Sequence, residues 1–104
     1  MNLVLTSQIT DDTLRFTVVA AQLTAARATA FKAGVEAARW AGVTQVEIDL
    51  GAVVFVDSSG VGALLSVVRK RPRLQRLTRL IGVRPEVGAV LELMCLQAVF
   101  DWTD

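Results

Sequence analysis

Polar and apolar residues alternate through Thr13-Leu14-Arg15-Phe16-Thr17-Val18, the period of two of a strand with one buried face. Asp11-Asp12 before it predicts a turn from an extended segment over residues 3–9, so the chain opens with a hairpin. Over residues 24–41 the period changes. Ala28, Phe31, Val35 and Ala38 recur at helical spacing while Arg27, Lys32, Glu36 and Arg39 fall elsewhere, with Thr24 placed to cap the start and Gly42 to end the helix. Alternation returns in Gln45-Val46-Glu47-Ile48-Asp49-Leu50, pauses at Gly51, and is followed by the β-branched and aromatic run Val53-Val54-Phe55-Val56, which predicts a further extended segment. That segment stops at Asp57. Beyond it, Val61, Leu64, Leu65 and Val68 predict a second helix over residues 59–70, closed before Pro72, which disfavours helical geometry at Arg71.

Residues 77–83 are compatible with another strand. Pro85 at a first-turn position, with Glu86 beside it, starts a third helix whose Val87, Val90, Leu91 and Met94 mark a buried stripe. The tail Phe100-Asp101-Trp102-Thr103-Asp104 receives no element. Strand and helix alternate after the hairpin, which predicts an α/β fold: a mixed sheet, its later strands parallel, packed against α-helices. With 104 residues, 53% of them hydrophobic, the chain has the material for one core and one domain, residues 1–104.

Composition removes several functions. There is no histidine, so Ser-His-Asp and Cys-His catalysis lose their base and most zinc sites lose a ligand; no catalytic residue, metal or cofactor is expected. Cys95, the single cysteine, reads as a small buried hydrophobe in a reducing compartment, and Trp40 and Trp102 as partly buried anchors. The N-terminal residues lack a basic region and a long apolar run, and the longest apolar stretch is broken by Asp57-Ser58-Ser59. No signal peptide and no membrane span are expected, which makes the chain cytoplasmic.

The net charge of +1 conceals a segregation. Arg69, Lys70, Arg71, Arg73, Arg76, Arg79 and Arg84 follow one another with no acid among them, while all ten acids lie elsewhere against four basic residues. One basic face or edge is predicted, more suited to an acidic protein surface than to nucleic acid, for which no binding motif is present.

The chemistry concentrates in Phe55-Val56-Asp57-Ser58-Ser59-Gly60-Val61-Gly62. Two hydroxyls and a carboxylate sit where a strand hands over to a helix, whose first-turn amides lack intrahelical partners and favour an anion. Ser58 is placed to carry a phosphate, which adds about −1.5 to −2 charges beside Asp57. The same residue types also make an ordinary helix cap. Gly60-Val61-Gly62 lacks the third glycine of a dinucleotide site and the Gly-Lys-Ser/Thr ending of a P-loop.

Ile48-Asp49-Leu50, Val53 and the run from Phe55 to Leu65 resemble the signature of the STAS family, specifically the bacterial anti-sigma-factor antagonists. Downstream, Ile81-Gly82-Val83-Arg84-Pro85-Glu86-Val87 and Leu91-Glu92-Leu93-Met94-Cys95-Leu96 are similar to that family's Pro-initiated and leucine-rich last helix, so the resemblance covers nearly the whole chain. It implies a non-enzymatic STAS domain that binds an anti-sigma factor, itself a serine kinase, and so frees a sigma factor for transcription. It further implies phosphorylation at Ser58, with Ser59 the lesser acceptor, reversal by a serine phosphatase, and a partner surface of Gln22, Thr24, Asp57, Ser58, Ser59, Gly60, Val61 and Gly62. Two departures stand out. Where many members carry Gly-Glu-Leu-Asp this chain reads Ala21-Gln22-Leu23-Thr24, and a glycine common near the end of the last helix is Cys95. The alternatives within the family are a STAS subunit of a phospholipid-transport ABC ATPase complex, whose loop tends toward Asp-Thr-Gly-Gly, or a partner-switch component of type III secretion or a stressosome.

Overall fold

The computed structural model describes residues 4–70 and 77–103. Strands β1 (Leu5–Thr10) and β2 (Thr13–Val18) form the opening antiparallel hairpin, Leu5 opposite Val18 and Thr10 opposite Thr13. β3 (Gln22–Leu23) leads into helix α1 (Ala25–Ala37), then β4 (Gln45–Asp49) and β5 (Phe55–Val56) precede helix α2 (Ser58–Lys70). β6 (Thr78–Ile81), helix α3 (Pro85–Leu93), a 3₁₀ turn (Leu96–Ala98) and β7 (Phe100–Asp101) complete the order. The main sheet runs β1-β2-β4-β6-β7, and every pair after the hairpin is parallel. This is the mixed α/β arrangement expected from the alternating periods.

One face of the sheet makes the core. Leu14, Phe16, Val18, Val46, Ile48, Leu80 and Phe100 point from it into a cluster with Phe31 and Val35 of α1, Leu64 and Val67 of α2, and Val87 and Leu91 of α3. The alternate positions look the other way. Gln8, Arg15, Glu47, Arg79 and Asp101 stand opposite one another across all five strands, with Arg15 Nη2 bonded to Glu47 Oε1 at 3.0 Å. This open face holds a surface depression lined by Gln8, Thr10, Asp11, Thr13, Arg15 and Glu47.

Several boundaries differ from the sequence expectations. α1 stops at Ala37: Ala38 is extended, its amide donating to the Val35 carbonyl at 3.3 Å, and the Trp40 indole donates to the same carbonyl at 2.9 Å. Gly42 is therefore not the helix terminator; it lies in the turn before β4, with φ +77°. Trp40 is half-buried against Phe16, ring centroids 5.9 Å apart, and Trp102 is partly buried as expected. Val53 and Val54 do not join a strand, and Phe55–Val56 pairs in parallel with β3 as a separate two-stranded sheet rather than extending the main one. The tail, unassigned from sequence, supplies β7.

The last helix corrects two further readings. α3 ends at Leu93, which leaves Met94 43% exposed instead of in the buried stripe with Val87 and Leu91. Cys95 is exposed, not buried, and sits in the left-handed region at φ 58°, the conformation that ends the helix. That backbone geometry favours glycine. A glycine at this position would answer a turn, not a packing demand.

The described residues of the basic run are dispersed. Arg71, Arg73 and Arg76 lie outside the described residues. Of the others, Lys70 pairs with Glu36 at 2.8 Å, Arg79 stands between Glu47 and Asp101 on the open sheet face, and Arg84 Nε donates to the Gly51 carbonyl at 2.9 Å. No helix among the described residues is long and apolar enough to cross a membrane.

Candidate functional site

The small β3–β5 sheet builds the site. Gln22 lies beside Phe55 and Leu23 beside Val56, and the register continues as the Asp57 amide donates to the Leu23 carbonyl at 3.4 Å. This brings the N-termini of α1 and α2 together. Asp57 occupies the position before α2: its carbonyl accepts from the Val61 amide at 3.0 Å, and its Oδ1 accepts from the Gly60 amide at 2.8 Å. Its other oxygen, Oδ2, accepts from the Ala25 amide at the first residue of α1, at 3.3 Å. One carboxylate thus serves two helix starts, where the positive ends of both dipoles favour it.

This arrangement revises the role of Thr24. It is the residue before α1, as the sequence suggested, but its side chain makes no capping bond; Asp57 meets that helix end from across the junction. The signal was absent from the local sequence because donor and acceptor are 32 positions apart.

Ser58 and Ser59 are the first two residues of α2, and both are exposed. A group added to either hydroxyl emerges into water next to Asp57. Gln22 is exposed and Thr24 half-buried; Gln22 lies on the strand beside Phe55, and Thr24 is the residue before α1. Gly60 and Val61 depart from the expected partner surface. Both are buried, and a Cβ on Gly60 would stand 1.9 Å from the Leu23 carbonyl oxygen and 2.8 Å from Val56 Cγ2. Gly60 lets α2 approach β3, and Val61 anchors the helix in the core. Gly62 is the reverse case: half-exposed, with open space where a Cβ would go.

Sequence reasoning missed Phe55 as a surface residue. It is 52% exposed beside Gln22, with Val54 and Ala21 exposed next to it, an apolar patch flanking the serines. A strand-like run reads as core, and only the shortness of β5 shows that alternate positions face water.

The sequence model for the family described as "Mlab, STAS domain" matches residues 6–100. No curated protein sequence matches the chain. Among solved structures, an anti-sigma-factor antagonist (STAS) domain protein from Planctomyces limnophilus shares 20% identity, with a TM-score of 0.75 over 96% of this chain and 88% of that one. The anti-sigma factor antagonist SpoIIAA in its unphosphorylated form gives 20% identity and a TM-score of 0.63, covering 96% of this chain and 87% of that one. Its phosphorylated Bacillus form gives 19% identity and 0.59, covering 96% and 91%. The fold also occurs inside a larger protein, the murine anion transporter Slc26a9, at 20% identity and a TM-score of 0.66 over 88% of this chain but 16% of that one. With the family match spanning both sheets and all three helices, the chain belongs to the STAS domain family.

Proposed function

We propose that this chain is an anti-sigma-factor antagonist in a partner switch: unphosphorylated, it binds a serine-kinase anti-sigma factor through the Ser58 surface, and phosphorylation of Ser58 releases it. A serine phosphatase resets the switch, and the chain itself is the kinase's substrate, not a catalyst. The observation that carries the reading is the exposed Ser58 hydroxyl at the first position of α2, beside the Asp57 carboxylate and the β3 edge. A phosphate there adds about −1.5 to −2 charges to a chain of formal charge +1, concentrated next to an existing anion at the docking edge. Ser59 is the second acceptor on the same turn. The neighbours solved in phosphorylated and unphosphorylated forms support this reading of the fold.

Ser58→Asp is expected to weaken the complex with the kinase at least tenfold, about 1.4 kcal/mol, while Ser58→Ala binds as wild type and accepts no phosphate at that position. Immobilised wild-type, Ser58→Ala and Ser58→Asp proteins, used to retain partners from a lysate of the source cell for mass spectrometry, check this. Retention of an ATP-binding serine kinase by the first two and its loss from the third is the expected result. The second reading, a scaffold subunit of a transport complex, has the occurrence of this fold within a transporter in its favour. Retention of a transporter ATPase equally by all three proteins supports that reading and ends the phosphoserine switch.

A further inference from the structure

The outer strand β1 is six residues long and carries none of the devices that keep sheet edges from pairing. Leu5-Thr6-Ser7-Gln8-Ile9-Thr10 has no charge and no proline, and its pairing with β2 is continuous, without a bulge. The opposite edge, β7, is two residues long and ends in Asp101. Among the described residues, β1 is the longer of the two edges of the main sheet.

Its hydrogen-bonding direction follows from one contact. The Val19 amide donates to the Val4 carbonyl at 2.9 Å, which makes that pair a hydrogen-bonded one and sets the alternation along the hairpin. Thr6, Gln8 and Thr10 therefore turn their N–H and C=O groups toward β2, whereas Leu5, Ser7 and Ile9 turn theirs outward. The same three side chains lie on the helix-covered side, since their partners Val18, Phe16 and Leu14 are buried there. Leu5 is covered by α1, but Ile9 remains 41% exposed.

The geometry points to a second copy of this chain as the occupant of the edge, paired antiparallel through a two-fold axis at Ser7. Hydrogen-bonded pairs across that axis need outward-facing residues on both sides, and only centring at Ser7 uses all three. Leu5 then stands opposite the partner's Ile9, Ser7 opposite the partner's Ser7, and Ile9 opposite the partner's Leu5. A shift by two residues in either direction loses one of the three pairs and the apposition of Leu5 with Ile9. The centred register joins two five-stranded sheets into one of ten, and each uncovered Ile9 gains an apolar neighbour. On the open face, Thr6 meets the partner's Gln8 with no charge opposed. A contact confined to one strand edge lies below the area of stable dimers, so the association is weak and reversible. It leaves the Ser58 surface free and stands or falls separately from the proposed switch.

Analytical ultracentrifugation of the full chain over a concentration series tests it, with circular dichroism as the check on folding. Wild type is expected to show a monomer–dimer equilibrium, and Ser7→Lys, which sets two ammonium groups face to face at the axis, is expected to raise the dissociation constant at least tenfold with an unchanged spectrum. In a Cys95→Ser background, Ser7→Cys places two thiols across the axis, where paired Cα atoms are about 5.5 Å apart and within disulfide range. It is expected to cross-link on mild oxidation, while Thr10→Cys, at the far end of the strand, does not. A monomer at all concentrations up to about 1 mM, a dimer indifferent to Ser7→Lys, or cross-linking no faster for Ser7→Cys than for Thr10→Cys overturns the proposal.

Discussion

Gly60→Ala is expected to cost the domain about 3 kcal/mol, a large share of the roughly 5–15 kcal/mol that holds a domain of this size together. The added methyl meets backbone first, which cannot swing aside: the Leu23 carbonyl oxygen at 1.9 Å and its carbon at 2.8 Å, with Val56 Cγ2 also at 2.8 Å. Relief requires the first turn of α2 to move away from β3, which breaks the Asp57 amide bond to Leu23 and pulls the Asp57 carboxylate from the Ala25 amide. Gly62, two residues on, is the internal control. With open space around its position, Gly62→Ala removes the entropic penalty of a helical glycine and is expected to gain about 0.5–1 kcal/mol. Urea unfolding of the two variants against wild type checks both signs. A Gly60→Ala protein with the wild-type midpoint would mean that α2 and β3 do not touch as described.

Asp57→Ala is expected to lower stability by about 2 kcal/mol, which for a chain of this length is about 8–15 °C in melting temperature. An ordinary N-cap loss is about 1 kcal/mol. Here the same substitution also removes the acceptor for a second helix and the charge favoured by both dipoles. Asp57→Asn separates these contributions, because its remaining oxygen still serves the Gly60 amide while the charge and the bond to Ala25 are lost; about half the cost is expected. Thermal melts of both variants, with Ser58→Ala as a neighbour that touches no cap, decide it. If Asp57→Ala melts with wild type, the carboxylate is not holding the two helices together, and its place beside the serines has no structural account.

The parts of this fold that were legible in the sequence are those whose pattern is local. The hairpin showed in six residues of strict alternation. The helices showed in apolar spacing, and the Pro85 start of α3 in the fixed geometry of its ring. What escaped depends on contacts between distant segments. β3 is two residues with no period of its own, visible only as the neighbour of Phe55 and Val56. Gly60 and Gly62 are indistinguishable as letters, yet one is held against a carbonyl and the other faces open space. Cys95 read as core from its apolar neighbours, whereas its position is fixed by the left-handed turn that stops α3. In the site, the serines and Asp57 were found because they are contiguous; the bond that ties Asp57 to α1 was not, because nothing near Ala25 announces it.

That bond has a consequence for recognition. The surface around Ser58 is not a linear epitope. Gln22 and Phe55 adjoin only through β3–β5 pairing, and the carboxylate beside the serine is oriented by an amide 32 positions away. A short peptide containing Asp57-Ser58-Ser59-Gly60 has both serine hydroxyls but neither the β3 edge nor the second helix end. An enzyme that reads this surface is therefore reading whether the chain has folded, and a nascent or damaged copy is silent to it.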